Sequence, residues 1–268
     1  MEKGIRSFKV EGLKVKIFSD RVTLGKAAAQ AVAEEMRQIL KTKESLFIVF
    51  ASAPSQNEFL EKLSQSQGIA WERTTAFHLD EYLGLPDDAS QNFGHFLRVK
   101  LFEKVHPGKV HYLNGMARDP EAECERYAAL LRKHLLDIAC IGIGENGHLA
   151  FNDPPVADFQ DPRLVKTVDL DLTSRQQQVN DGCFDGLEKV PRKAMTLTLP
   201  AIFSSKSIFS MVPGPTKADA VRKTLEDPFS PACPATLLRK HGDATLFLDK
   251  DSAKWILSSR KVSSREQS

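Results

Sequence analysis

Hydrophobic positions along the chain follow two rhythms. Short apolar runs, several of them apolar throughout, recur at Val15–Phe18, Leu46–Ala51, Thr75–Leu79, Val110–Leu113, Ile138–Ile143, Val165–Leu170, Met195–Leu199, Ile208–Val212 and Thr245–Leu248. Between them lie longer amphipathic segments at Val22–Leu40, Gln56–Ser66, Phe93–Val105, Pro120–His134 and Thr216–Leu225. In the first of these, Ala28, Ala31, Val32, Glu35 and Ile39 recur at helical steps behind a cap at Asp20. A run such as Leu46–Phe50 is apolar at consecutive positions, as a strand buried on both faces requires; a strand with one wet face would alternate. Strand–helix–strand alternation therefore predicts a three-layer α/β fold around a mostly parallel, doubly wound sheet, in a single domain over residues 1–257. The segment Gln176–Arg192 is the least regular and reads as an excursion or lid. The polar tail Ser258–Ser268 is expected to fray.

Composition narrows the function classes. With 41% hydrophobic and 27% charged residues the chain can bury a sizeable core under a polar surface. Its 37 basic and 35 acidic residues leave a net charge of +2, too balanced for a nucleic acid or a membrane surface as partner. Cys124, Cys140, Cys183 and Cys233 form no C-x-x-C pair and no zinc spacing, so they read as reduced thiols, and no metal site is expected. Met1–Val10 lacks the apolar stretch of a secretory signal, and no apolar run approaches the roughly 18–20 residues of a membrane span. The expectation is a soluble, cytoplasmic protein.

Ligands of open α/β sheets bind beyond the carboxyl ends of the strands, so the residues that follow each strand matter most. Ser52-Ala53-Pro54-Ser55 follow the second run, Asp80-Glu81-Tyr82 the third, a glycine loop with His148 the Ile138–Ile143 run, and Pro213-Gly214-Pro215-Thr216-Lys217 the Ile208–Val212 run. Small residues, two carboxylates, a histidine and a lysine thus converge on a site suited to a small, polar, phosphorylated ligand. Each has a plainer reading on its own: Asp80 as a turn cap, His148 as an exposed loop residue, Lys217 as a solvated lysine.

The loop Gly142-Ile143-Gly144-Glu145-Asn146-Gly147 is a literal G-x-G-x-x-G. A dinucleotide site would need a helix to start within that motif, with its N-terminus facing the pyrophosphate. Pro154 and Pro155 forbid a helix continuing through the stretch, so no nicotinamide, flavin or other cofactor is expected. A loop histidine oriented by Asp153, with a separate carboxylate at Asp80, suits proton transfer instead. Glycines beside them, Gly144 and Gly147, let backbone N–H groups approach sugar hydroxyls or phosphate. One proton relay plus one carboxylate base fits an aldose–ketose interconversion.

Two long motifs carry a resemblance. Phe77-His78-Leu79-Asp80-Glu81-Tyr82-Leu83-Gly84-Leu85-Pro86 and Gly142–Pro154 are similar to the "DEY-GLP" and "GH-x-(A/G)FN-(E/D)P" motifs of the glucosamine-6-phosphate deaminase/isomerase family, whose superfamily includes 6-phosphogluconolactonase. Weaker matches are Gln91-Asn92-Phe93 with Phe96-Leu97, Gly214 with Lys217, and Cys233-Pro234-Ala235 ahead of His241. The resemblance implies a modified Rossmann-like fold, no redox cofactor, and conversion of glucosamine 6-phosphate and water to fructose 6-phosphate and ammonia in amino-sugar metabolism. By position it implies that Asp80 is the base at C2 of the opened sugar, His148 the ring-opening histidine, and Asp153 its supporting carboxylate, usually glutamate. Asn146 stands where members carry aspartate or asparagine, Glu81 is a neighbouring acid, and Lys217 matches a phosphate-binding lysine.

There are also departures. The phosphate loop, "GGTP" or "GGSP" in members, reads Ala51-Ser52-Ala53-Pro54 here, leaving Ser52 and Ala53 to meet the phosphate. Gly182, in Asn180-Asp181-Gly182-Cys183-Phe184, stands at the arginine of "N-S-R-F-F". Another enzyme on the same fold, acting on galactosamine 6-phosphate or a phosphogluconolactone, and a non-catalytic sugar-phosphate sensor are the alternatives. A sensor would need neither Asp80 nor His148, and the chain leaves no room for a DNA-reading domain. The partner expected is a sugar phosphate, with assembly into a homo-oligomer left open.

Overall fold

The computed structural model describes residues 6–263. A hairpin of β1 (Arg6–Val10) and β2 (Leu13–Phe18) leads into α1 (Arg21–Thr42), β3 (Leu46–Phe50), α2 (Asn57–Ser64) and β4 (Thr74–His78). Then come β5 (Asp80–Tyr82), α3 (Phe93–Leu97), α4 (Glu103–Val105), β6 (Lys109–His111), α5 (Pro120–Lys133) and β7 (Ile138–Ile141). The remainder runs through β8 (Val165–Asp169), α6 (Leu172–Asn180), β9 (Lys193–Leu197), α7 (Leu199–Phe203), β10 (Ser207–Val212), α8 (Ala218–Glu226), β11 (Ala244–Asp249) and α9 (Lys254–Ser263).

The main sheet has eight strands in the order β1-β2-β11-β10-β7-β3-β4-β6. Only the β1–β2 edge is antiparallel. The apolar run of β3 has the predicted cause: it lies between β7 and β4, with helices over both faces. Leu46, Ile48 and Phe50 pack with Leu24, Val32 and Met36 of α1 and with Phe59 and Leu63 of α2. Val49, on the other face, packs with Phe77, Ile141 and the α5 side chains Tyr127 and Leu131. Helix α1 begins at the predicted cap, where the Asp20 carboxylate accepts the Thr23 N–H at 2.7 Å. Among the described residues no helix is long and apolar enough to cross a membrane.

Several expectations need correcting. Val165–Leu170 and Met195–Leu199 do form strands, but outside the main sheet: β8, β9 and the unpredicted β5 make a small antiparallel sheet in the order β5-β9-β8. The Gln176–Arg192 stretch is not irregular throughout, since α6 occupies its start, capped by Asp171. A π-helical turn at Arg98–Phe102 interrupts the single helix predicted over Phe93–Val105. Helix α9 runs into the tail expected to fray from Ser258, and residues 264–268 lie outside the described residues.

Strand order reverses between β3 and β7: from β3 the chain winds outward to β4 and β6, and from β7 to β10 and β11. The loops leaving this neighbouring pair diverge, opening a crevice at their carboxyl ends. The first residues beyond β3 and the glycine loop beyond β7 face each other across it.

Candidate active site

The crevice is lined from every strand end singled out in the sequence. Ser52 and Ala53 come from the β3 end, Asp80 from the start of β5, Gly142, Gly144 and His148 from the loop after β7, and Lys217 from the turn after β10. Strand β9 ties the two halves together. It pairs with β5 on one side, Asp80 opposite Thr196, while the Thr196 hydroxyl accepts the Phe151 N–H at 3.1 Å. The Asn152 amide donates to the Leu197 carbonyl at 2.8 Å.

His148 is buried against the loop that carries it. Gly144 N–H donates to the His148 carbonyl at 2.9 Å and Gly147 N–H to the Gly144 carbonyl at 3.0 Å, closing a tight turn. The imidazole lies flat on Gly144: a Cβ there would meet ring atoms at 2.1–2.3 Å, so only glycine permits this placement. Gly147 has φ +87° and packs on Cys233, whose neighbour Ala235 donates its N–H to the Gly147 carbonyl at 2.9 Å. The Cys233-Pro234-Ala235 stretch therefore braces the loop.

The back of the ring is fully engaged. His148 Nδ1 lies 2.8 Å from Asn146 Oδ1, 3.0 Å from Asp153 Oδ1 and 2.9 Å from Ser174 Oγ. The Asn146 amide also donates to Asp153 Oδ1 at 2.9 Å, and the Ser174 hydroxyl donates to the same oxygen. With a carboxylate and an amide oxygen against it, Nδ1 is the donor of the ring, which leaves Nε2 as the nitrogen turned to the cavity. Asp153 is held below the ordinary carboxylate range: burial alone would raise it, but the bonds from His148, Asn146 and Ser174 outweigh burial.

Asp80 is equally buried and differently treated. Among the described residues its carboxylate receives no hydrogen bond, and burial, with the Glu81 charge adding to it, pushes its pKa well above the ordinary value. Glu81, predicted beside it as a second site acid, faces away from the crevice. Its carboxylate accepts the Tyr82 N–H at 3.0 Å, Phe93 N–H at 3.1 Å and Gly94 N–H at 2.9 Å, pinning the start of α3, while burial raises it to about 7.

The far end of the crevice suits an anion. Lys217 is buried, and no hydrogen bond or ion pair reaches its ammonium among the described residues; desolvation lowers its pKa. The Ser52 hydroxyl is also buried without a partner. Gly182, at the position of the family arginine, is exposed with φ +73° and open space about it. Three residues of α6 that the sequence did not single out reach the site: Ser174 behind His148, and Gln177 and Gln178 in the crevice wall, with Gln177 Oε1 accepting the Glu145 N–H at 2.9 Å. The Asp171 cap was the one available signal for this polar helix.

Comparison with known proteins gives the family. Residues 19–247 match the family described as glucosamine-6-phosphate isomerases/6-phosphogluconolactonase. The chain belongs to that family. A glucosamine-6-phosphate deaminase of Halothermothrix orenii is 35% identical over 246 residues, spanning 90% of this chain and 99% of the relative. One from Bacillus thuringiensis is 32% identical over 224 residues, or 84% and 83% of the two chains. Among solved structures in the family, a monomeric glucosamine-6-phosphate deaminase superposes with a TM-score of 0.83 at 30% identity, covering 90% of this chain and 98% of that one. A 6-phosphogluconolactonase of Thermotoga maritima gives 0.73 at 24% identity over 89% and 100%, which shows the shared fold.

Proposed function

We propose that the protein is an amino-sugar-phosphate deaminase converting glucosamine 6-phosphate and water to fructose 6-phosphate and ammonia. The observation that carries this reading is the unpartnered, buried carboxyl of Asp80 in the same crevice as His148, whose Nδ1 side is closed off by Asp153, Asn146 and Ser174. His148 Nε2 takes the proton of the anomeric hydroxyl and returns it to the ring oxygen, opening the sugar. Asp80 takes the C2 proton of the open aldose as the protonated amine gives up a proton to O1, and delivers the C2 proton to C1 of the resulting enolamine, leaving a protonated imine at C2. Water adds to that carbon and ammonia departs. Lys217, Ser52 and the loop amides hold the phosphate. The named activities of the relatives support the substrate class, and the carbon-acid base is what a lactonase would not need.

The four cysteines are all free, in keeping with the reducing cytoplasm to which we assign the protein. The purified protein is expected to release ammonia and fructose 6-phosphate in equal amounts from glucosamine 6-phosphate. His148→Gln is expected to slow turnover of the ring-closed sugar. Ammonia release from galactosamine 6-phosphate alone would move the assignment to that hexosamine; hydrolysis of a phosphogluconolactone without ammonia release from any hexosamine phosphate would overturn it.

A further inference from the structure

We propose that His78 is a positioning residue for Asp80, its ring forming a two-ended brace between the Asp80 carbonyl and the Leu113 amide. This rests on the reading of Asp80 as the site's base. His78 closes β4, its ring is fully buried, and Nδ1 lies 2.9 Å from the Asp80 carbonyl oxygen while Nε2 accepts the Leu113 N–H at 2.9 Å. A carbonyl can only accept and an N–H can only donate, so one ring proton, on Nδ1, satisfies both ends.

The ladder shows why the brace is needed. Bonds from Leu197 N–H to the Leu79 carbonyl (2.8 Å) and from Leu83 N–H to the Lys193 carbonyl (3.0 Å) tie this segment to β9. Residues directly opposite alternate between bonded and non-bonded pairs, so at the Asp80–Thr196 pair the Asp80 carbonyl points away from β9. Without His78 that buried carbonyl would be orphaned, and the turn aiming the Asp80 side chain would lose its anchor to β4. The Tyr127 hydroxyl holds the other side of His78, accepting its N–H at 3.0 Å and lying 3.1 Å from the His78 carbonyl. Burial lowers the imidazole to about 4, so the neutral brace persists across the working pH range.

Two carboxamides separate the ends of the brace. The Asn side chain places its amide at the level of Nδ1 and keeps the Asp80 bond; the longer Gln reaches the level of Nε2 and keeps the Leu113 bond. With Asp80 observed directly by carboxyl carbon NMR titration, His78→Asn should leave its midpoint raised, whereas His78→Gln and His78→Leu should let it fall toward the ordinary carboxylate range. The same two variants should lose roughly 10–100-fold in kcat with KM within about threefold, and His78→Asn should stay within about threefold in both. Wild-type titration and kcat in His78→Gln with both lost in His78→Asn would overturn the proposal. So would a melting temperature lowered in all three variants with the Asp80 midpoint unmoved. A wild type inactive on every hexosamine phosphate would sink the functional reading, while the titration would still decide the role of His78.

Discussion

Asp80 in the crevice wall and Asp153 behind His148 are both almost fully buried, yet their carboxyls are driven in opposite directions. Asp153 collects bonds from His148, Asn146 and Ser174 and stays an anion. Among the described residues Asp80 collects none on its side chain; the His78 ring satisfies its backbone carbonyl instead, and burial then raises its pKa. The contrast teaches that the count of donors, rather than depth, decides whether a buried carboxylate is a fixed counter-charge or a proton carrier. One end of the crevice is built to orient a ring nitrogen, the other to leave an oxygen pair unoccupied.

The largest break in that contrast comes from Asp80→Asn, which removes the proton carrier without changing its shape. Release of ammonia from glucosamine 6-phosphate should fall by roughly 10²–10⁴-fold. Asp153→Asn should cost less, roughly 10–100-fold, because His148 keeps Asn146 and loses only its counter-charge; the Asp80 titration midpoint should not move. A shifted midpoint would mean that the two ends are electrostatically one site.

Lys217→Met tests the anion end. Losing about 1.5–3 kcal/mol of charged contact should raise KM by roughly 10–150-fold while kcat changes little. The last test reads stability rather than turnover and concerns Glu81. Burial raises it from an ordinary 4.5 to about 7, so its folded form holds a proton that the unfolded chain has already released. Its contribution is complete below pH 4.5 and is lost as the pH rises through 7. Thermal or denaturant unfolding should therefore show the wild type losing up to about 3 kcal/mol relative to Glu81→Gln over that window. A wild type that instead gains stability relative to Glu81→Gln as the pH rises would show that the three amide donors win over burial and that Glu81 is ionised in place.

Much of the frame was legible because a parallel sheet buries its strands on both faces, and runs such as Leu46–Phe50 and Ile208–Val212 show it directly. The positions of Asp80, His148 and Lys217 at strand ends were legible for the same reason. What escaped was short or polar. Strand β5 is three residues long, too few for a period to appear. Strands β8 (VKTVD) and β9 (KAMTL) mix polar with apolar residues, and nothing local tells a strand which sheet it joins. Helix α6, LTSRQQQVN, has no apolar stripe because its inner face meets the crevice, so Ser174, Gln177 and Gln178 were missed with it. Glu81 shows the converse: a motif residue next to the base, whose carboxylate is occupied with the start of α3.

The division of labour between the two ends is the central claim, and hydrogen exchange at carbon tests it most directly. Fructose 6-phosphate is incubated with ammonia and protein in deuterated water, and NMR follows deuterium entering at C1 together with exchange between the ring anomers. The account predicts that Asp80→Asn stops carbon exchange while protein-catalysed ring opening persists, and that His148→Gln slows ring opening while carbon exchange from the open chain continues. Carbon exchange at the wild-type rate in Asp80→Asn would contradict it.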